Sequence, residues 1–284
     1  MVTTDFSERR ATFRKLHEAG CFVIPNPWDV GTARYLRHLG FHALATTSSG
    51  LAFSQGLPDA DWAVPRDVVL RHVREIVESV DLPVNADFES GYAHEPEGVA
   101  ESVRLCVATG VAGLSIEDTT GDRARPLYEL PLAVERIRAA RAAIDRAGSE
   151  VLLTGRAECF LVGHPDALRE SIRRLQAYAD AGAHVLYAPG VRTREEISAI
   201  VSAVRPKPVN VLMSAYTGFR VTDVAELGVR RISVGSSLAR AAWTGFIGAA
   251  RAIAAEGSFK GFEGITPFAE INGFFRKDWK DRRR

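Results

Sequence analysis

Residues 82–118 read LPVNADFESGYAHEPEGVAESVRLCVATGVAGLSIED. Two short apolar runs, LPVNAD (82–87) and AGLSIE (112–117), flank an amphipathic stretch at 95–109. A strand, a helix and a strand in that order describe a parallel pair joined by a right-handed crossover. Outward from this unit the same pattern repeats. The further strand candidates are CFVIP (21–25), HALATT (42–47), VLLTGR (151–156), HVLYAP (184–189), PVNVLM (208–213) and RRISVG (230–235). Helix-period stretches at 29–39, 65–79, 129–147, 165–181, 193–203, 219–227 and 236–255 separate or follow them. Eight such units predict a (β/α)8 TIM-type barrel, with an open doubly wound sheet as the alternative.

Local signals set several boundaries. Asp29 reads as an N-cap and Gly40 as a helix stop. Pro65 suits a first helical position, and Thr193 with Glu196 has capping-box spacing. No linker or low-complexity block divides the chain. Residues 1–255 are expected to form one barrel domain, and 256–284 a helical extension with a basic tail.

Composition narrows the function. Thirty-six basic residues against 35 acidic ones give a net charge of +1. That balance offers no electrostatic case for nucleic acid or an anionic membrane. No run of apolar residues is long enough to span a bilayer, and the first twenty residues lack a signal-peptide core. Cys21, Cys106 and Cys159 are too scattered for a disulfide framework. A cytoplasmic protein is the expectation.

In a barrel, chemistry gathers at the C-terminal ends of the strands. There the chain places Thr46-Thr47-Ser48-Ser49-Gly50, then Asp87-Phe88-Glu89, then Glu117-Asp118, then Arg156-Ala157-Glu158, with Asn210 on strand seven. Converging carboxylates repel unless a hard cation neutralises them, and Mg²⁺ suits oxygen ligands, with Mn²⁺ as a substitute. Asp87, Glu89 and Glu117 are the metal candidates; Asp118 and Glu158 read equally well as caps or rim ion-pair partners. None of the five lysines, Lys15, Lys207, Lys260, Lys277 and Lys280, falls at an active strand end. Schiff-base chemistry is thereby excluded. Ser233-Val234-Gly235-Ser236-Ser237 is a small-residue loop that suits an anion or tight packing. His17, His38 and His72 read as surface residues on helices; His94 and His164 follow strands and are within reach of the site. Cys159 reads as a packed thiol.

The ordered segments VIPNPWDVGTARYLRHLGFHALATTSSGLAFSQGLPDA (23–60), PVNADFESGY (83–92), GLSIEDTTG (113–121), LLTGRAECFL (152–161), PVNVLM (208–213) and GVRRISVGSSLARAAW (228–243) resemble the isocitrate lyase/phosphoenolpyruvate mutase superfamily. The resemblance covers about residues 20 to 250. It implies a barrel whose last helix is swapped onto a partner subunit, a homo-oligomer (a tetramer), and Mg²⁺-dependent chemistry on small oxo- or hydroxy-carboxylates. By position it implies that Asp87 binds Mg²⁺ directly and that Asp59, Glu89 and Glu117 hold its waters. It also implies that Ser49, Gly50 and Leu51 donate to the substrate and that Arg156 clamps its anionic group, with Glu117 and Arg156 as the catalytic pair and Asn210 lining the site.

The departures are local. The loop after strand four reads TTGDRARPLYEL (119–130), without the KKCGH motif of family lyases or the lysine- and asparagine-bearing loop of the phosphonate enzymes. It offers Asp122, Arg123 and Arg125 instead. Position 89 is Glu where Asp is more usual. The expected activity is C–C cleavage through an enolate-like intermediate. The alternatives are P–C bond chemistry on the same scaffold and a barrel that binds a carboxylate without turnover.

Overall fold

The computed structural model describes residues 6–60 and 62–283. Its strands are β1 (Phe22–Ile24), β2 (Leu44–Ala45), β3 (Val84–Asp87), β4 (Gly113–Glu117), β5 (Leu152–Arg156), β6 (Val185–Tyr187), β7 (Val209–Leu212) and β8 (Arg231–Ser233). All pair in parallel, in the order β1-β8-β7-β6-β5-β4-β3-β2. The two ends of that order meet through Ala45 N–H donating to Pro25 O at 3.0 Å and Asn26 Nδ2 donating to Thr46 O at 2.8 Å. The sheet is thus a nearly closed (β/α)8 barrel, and the open-sheet alternative is set aside.

The helices are α1 (Ser7–Leu16), α2 (Val30–His38), α3 (Ser48–Ser54), α4 (Arg66–Ser79), α5 (Pro96–Val107), α6 (Leu130–Arg146), α7 (Ala167–Asp180), α8 (Arg194–Ala203), α9 (Val221–Glu226), α10 (Ser237–Glu256) and α11 (Phe268–Asp281). Those outside the barrel bury one stripe. In α4 it is Val69, Val73, Ile76 and Val77, and in α5 Val99, Val103, Cys106 and Val107. This i, i+4, i+7, i+8 spacing presents a single face to the strands. Asp29 accepts from Thr32 N as an N-cap, and Thr193 and Glu196 form their capping box. Pro65 is itself the N-cap of α4, one residue ahead of the expected position. The short helix α3 is absent from the sequence reading, because TTSSG looks like a turn.

Alternation along the strands fills the barrel in layers. Phe22, Ile24, Ala43, Ala45, Leu152 and Val185 make an apolar floor with Phe13 of α1. Arg9 binds the carbonyl of Val77 in the last turn of α4, and Arg10 and Arg14 bind those of Val111 and Glu150, just ahead of β4 and β5. The first helix therefore closes the N-terminal end of the barrel. His17 follows it into this floor, so its expected surface position is corrected. It is 8% exposed and packs edge-on against Phe13 and Phe22.

Contacts divide the chain into two units, Met1–Ser237 and Leu238–Arg284. The boundary precedes α10, whereas the sequence pattern groups that helix with the barrel. The second unit is rich in exposed apolar side chains, among them Trp243, Phe246, Ile265, Phe268 and Trp279. Just past the end of α11, Arg282 pairs with Asp278 and Arg283 lies over the Trp279 ring. Arg284 lies outside the described residues.

Burial, and next the Arg231 charge, lower the His17 imidazole from 6.5 to about 3. Folded His17 is neutral at pH 7, with Nδ1–H donating to Phe13 O at 2.8 Å. An unfolded chain protonates this residue near its ordinary value. Stability present above that value is therefore lost as pH falls from about 6.5 toward 3, with a slope of up to about 1.4 kcal/mol per pH unit. Melting curves of wild type and His17→Phe should converge as pH drops from 7 to 4. Parallel curves would refute this linkage.

Candidate active site

Strand register assembles the mouth of the barrel. Glu117 pairs with Arg156, and Arg156 with Tyr187. Asp87 pairs with Ser115 one strand earlier. Side chains leaving the same side of neighbouring strands meet above the middle of the barrel. There Arg156 Nη1 lies 3.0 Å from Glu117 Oε2 and 3.2 Å from Asp87 Oδ1, while its Nε donates to Glu158 Oε1. One guanidinium thus bridges three carboxylates. The surrounding negative charge holds Arg156 well above the ordinary arginine value despite the opposing effect of burial. Burial raises Glu117, and it raises Glu158 to about 8, with Arg156 opposing both shifts.

Each acid has further partners. Asp87 Oδ2 accepts from Ser48 N and Ser48 Oγ, both at 3.0 Å, and Asp87 N donates to Thr46 Oγ1 at 2.9 Å. Glu117 Oε1 accepts from Thr119 at 2.8 Å. Glu89 Oε1 takes the Tyr92 hydroxyl at 2.7 Å, and Oε2 faces Trp62 N at 3.3 Å. Burial pushes Glu89 up to about 7. Asp59 stands on the exposed rim beside Ser49; its carboxyl is raised by desolvation and by the Asp87 charge, against the Ser49 hydrogen bond.

The predicted donors are arranged less simply. Ser49, Gly50 and Leu51 lie in the first turn of α3. Gly50 N donates to Thr47 Oγ1 at 3.2 Å and Leu51 N to Thr47 O at 3.1 Å. Both N–H groups are spent inside the helix, and the Ser49 side chain is what the turn presents beside Asp59. Asn210 lies beneath the mouth, 1% exposed, donating to Ser233 Oγ and accepting from Arg231 Nε, each at 2.9 Å.

Other polar residues have structural work. Asp118 Oδ2 accepts from Arg174 at 3.1 Å and Tyr178 at 2.5 Å, and Oδ1 from Glu158 N at 2.9 Å. It ties β4 to α7 and to the turn after β5. Val234 N and Gly235 N both donate to Asn26 Oδ1, so the β8 loop is packed and those two donors are taken. His94 Nδ1 hydrogen-bonds Tyr128 at 2.6 Å, and His164 Nδ1 accepts from Asp166 N. Cys159 is fully buried, with its thiol pushed up to about 11 by burial. The loop after β4 is tied to itself by a Thr119–Leu127 bridge and by Asp122, which accepts from Ala124 N and pairs with Arg125. The structure adds Tyr187 to the candidate site and makes Ser48, one of the polar residues the sequence places after β2, a donor to Asp87. Ser48 was visible within TTSSG, and Tyr187 shares inward parity with Arg156.

Among the described residues, no three His, Cys, Asp or Glu side chains stand close enough to cage a metal unaided. Mg²⁺, however, uses one or two carboxylates and completes its shell with waters and substrate. A cationic nitrogen already sits between Asp87 and Glu117, and the donors are all hard oxygens. The residues therefore fit such a cation.

The family described as phosphoenolpyruvate phosphomutase matches residues 13–254. A solved protein from Burkholderia cenocepacia J2315, described only at the level of lyase or mutase, is 45% identical with a TM-score of 0.91, covering 95% of this chain and 97% of that one. A phosphonopyruvate hydrolase solved with oxalate and Mg²⁺ is 25% identical with a TM-score of 0.82, over 97% and 98% of the two chains. The 2-methylisocitrate lyase of Escherichia coli K12 is 30% identical over 65% of this chain and 63% of its own.

Breaking the Asp118 cluster should cost fold stability. Asp118→Ala takes one of two carboxylate partners from buried Arg174, which keeps Glu170, and leaves the Tyr178 hydroxyl without this acceptor, a loss of about 1–3 kcal/mol. Denaturant unfolding checks this, and a change under about 1 kcal/mol would contradict the strut assignment.

Proposed function

Because the chain belongs to the phosphoenolpyruvate phosphomutase family, we propose that it is a Mg²⁺-dependent lyase that cleaves a C–C bond in a small oxo- or hydroxy-carboxylate. The observation that carries this reading is the shared position of Asp87, Glu117 and Arg156 at the ends of β3, β4 and β5. Asp87 is the direct metal ligand, oriented by both donors of Ser48. Glu117, Glu89 and Asp59 hold the metal's waters. Bound there, Mg²⁺ supplies the Lewis acidity that polarises a carbonyl or alkoxide oxygen of the substrate.

The chain does the rest. Once Asp87 and Glu117 turn to the cation, Arg156 is released from two of its three carboxylates. Its planar fork then accepts the substrate's carboxylate through two parallel hydrogen bonds. The Ser49 hydroxyl supplies a neutral donor at the rim. Glu158 stays against Arg156 Nε and keeps the fork from following the substrate out. The oxalate and Mg²⁺ found together in the related hydrolase support this division of labour.

Purified protein with Mg²⁺ should release pyruvate, glyoxylate or oxalate from a panel of 2-hydroxy and 2-oxo dicarboxylates and tricarboxylates, and EDTA should abolish the release. Phosphate release from phosphonopyruvate, without cleavage of any carboxylate, would overturn the C–C assignment. Asp87→Ala should lose Mg²⁺ binding by calorimetry while keeping its far-UV circular dichroism. Arg156→Lys should keep Mg²⁺ affinity yet weaken oxalate binding, since losing such a charged pair costs about 2–5 kcal/mol.

The same reading makes the protein a homo-oligomer, a tetramer with a swapped last helix. The apolar side chains exposed on Leu238–Arg284 support it, because a monomer seldom displays so much. Light scattering should give a mass several times 30.9 kDa. A stable monomer at micromolar concentration would refute the assembly. No helix among the described residues is long and apolar enough to cross a membrane.

A further inference from the structure

We infer that the aromatic face of Tyr187 holds Arg156 in its substrate-clamping position. The inference rests on the reading of Arg156 as the substrate clamp. It adds a positioning residue which that reading does not contain.

Arg156 has three carboxylate partners as the structure stands. A cation at the mouth claims Asp87 and Glu117, which leaves Glu158 and one further neighbour. That neighbour is Tyr187, the last residue of β6 and the register partner of Arg156. The Arg156 Cζ lies 5.3 Å from the centre of its ring. A guanidinium within about 6 Å of an aromatic centre is attracted by the ring's negative face, and more so where water is excluded. Tyr187 is 8% exposed, so water is largely excluded. A carboxylate such as Glu158 draws the guanidinium along one edge only. A ring beside it restrains the plane, and two in-plane hydrogen bonds to a substrate depend on that plane.

Asn210, the register partner of Tyr187 on β7, belongs to a buried polar chain. Arg231 is 3% exposed and donates Nε to Asn210 Oδ1 at 2.9 Å and Nη2 to Thr154 Oγ1 at 3.2 Å. A guanidinium can only donate, so the Asn210 oxygen must face it and the Asn210 amide nitrogen must face away. That nitrogen donates to Ser233 Oγ at 2.9 Å. The chain Arg231–Asn210–Ser233 therefore has a single polarity, and each member is buried. Asn210 is therefore spent within this chain, and on this inference the contact that orients Arg156 is the Tyr187 ring itself.

The test titrates oxalate into full-length, Mg²⁺-saturated protein and into Arg156→Gln, Tyr187→Phe and Tyr187→Leu, with Mg²⁺ affinity and melting temperature measured on the same preparations. Tyr187→Leu should weaken oxalate about 2- to 30-fold, the range of a partly to fully desolvated cation–aromatic contact, with Mg²⁺ affinity unchanged. Tyr187→Phe keeps the ring and should stay within about threefold of wild type on the same scale. Should the leucine variant fail to fold, Tyr187→Met removes the ring with a longer, more adaptable side chain and takes its place. Normal oxalate affinity in a folded ringless variant, with only the melting temperature lowered, would overturn the inference, as would equal loss in Phe and Leu. Normal oxalate affinity in Arg156→Gln would instead defeat the clamp reading itself. Loss in Arg156→Gln with none in Tyr187→Leu would remove Tyr187 alone.

Discussion

The Arg156 guanidinium is shared among carboxylates from β3, from β4 and from the turn after β5. Three acids drawn into a partly desolvated mouth repel one another, and burial already pushes Glu117 and Glu158 toward the neutral form. A single delocalised cation with donors on several edges can satisfy all three. Lysine would present one point charge and leave two acids facing each other. The mouth therefore depends on arginine at this register position. Such a cation is replaceable, because its removal from Asp87 and Glu117 is offset when another cation arrives.

Around that centre the scaffold supplies rigidity from outside the barrel. Asp118, adjacent to Glu117, points away from the mouth to Arg174 and Tyr178 of α7 and also accepts from Glu158 N. The two consecutive acids thus divide the labour by strand parity: Glu117 faces the lumen and Asp118 the helices. Arg136 of α6 does the same for the turn after β3, donating to the carbonyls of Ser90, Ala93 and His94 and lying 4.0 Å from the Tyr128 ring centre. The loops that carry the acids are thereby held by buried helix residues that never reach the mouth.

Much of this was legible in the sequence. Alternating apolar runs and amphipathic stretches gave the eight strands in order, because burial on both faces makes barrel strands conspicuous. Asp87, Glu117 and Arg156 were legible because each is a charged residue that closes a buried apolar run, and in a barrel those run ends converge on the mouth. The exact partners were not. Asp118 and Glu117 look alike in sequence, and only the pleat tells lumen from helix layer. Gly50 and Leu51 looked like free donors because nothing in TTSSG announces a helix capped by Thr47. His17 looked exposed because the amphipathic pattern of α1 does not reveal that the helix plugs the barrel. Tyr187 was hidden for the opposite reason: an aromatic residue in a buried strand reads as ordinary core.

Glu89 shows how a local departure is absorbed. Its backbone sits in the left-handed region at φ 46°, as does that of Tyr92 at 55°, with Gly91 at 85° between them. Non-glycine residues there are held by their surroundings at some cost in strain. Here the turn folds back so that the Tyr92 hydroxyl reaches Glu89 Oε1, while Oε2 reaches toward Trp62 N in the segment after α3. An aspartate at this position would be one methylene shorter and could not span the same gap without moving the turn. The longer side chain therefore links the turn after β3 to the segment following α3, two parts of the rim that the barrel's strand pairing leaves unconnected. Its carboxyl, raised to about 7 by burial, is with Asp59 one of the two acids of the group that form no ion pair with Arg156. Its charge therefore responds to whatever cation or anion enters the mouth.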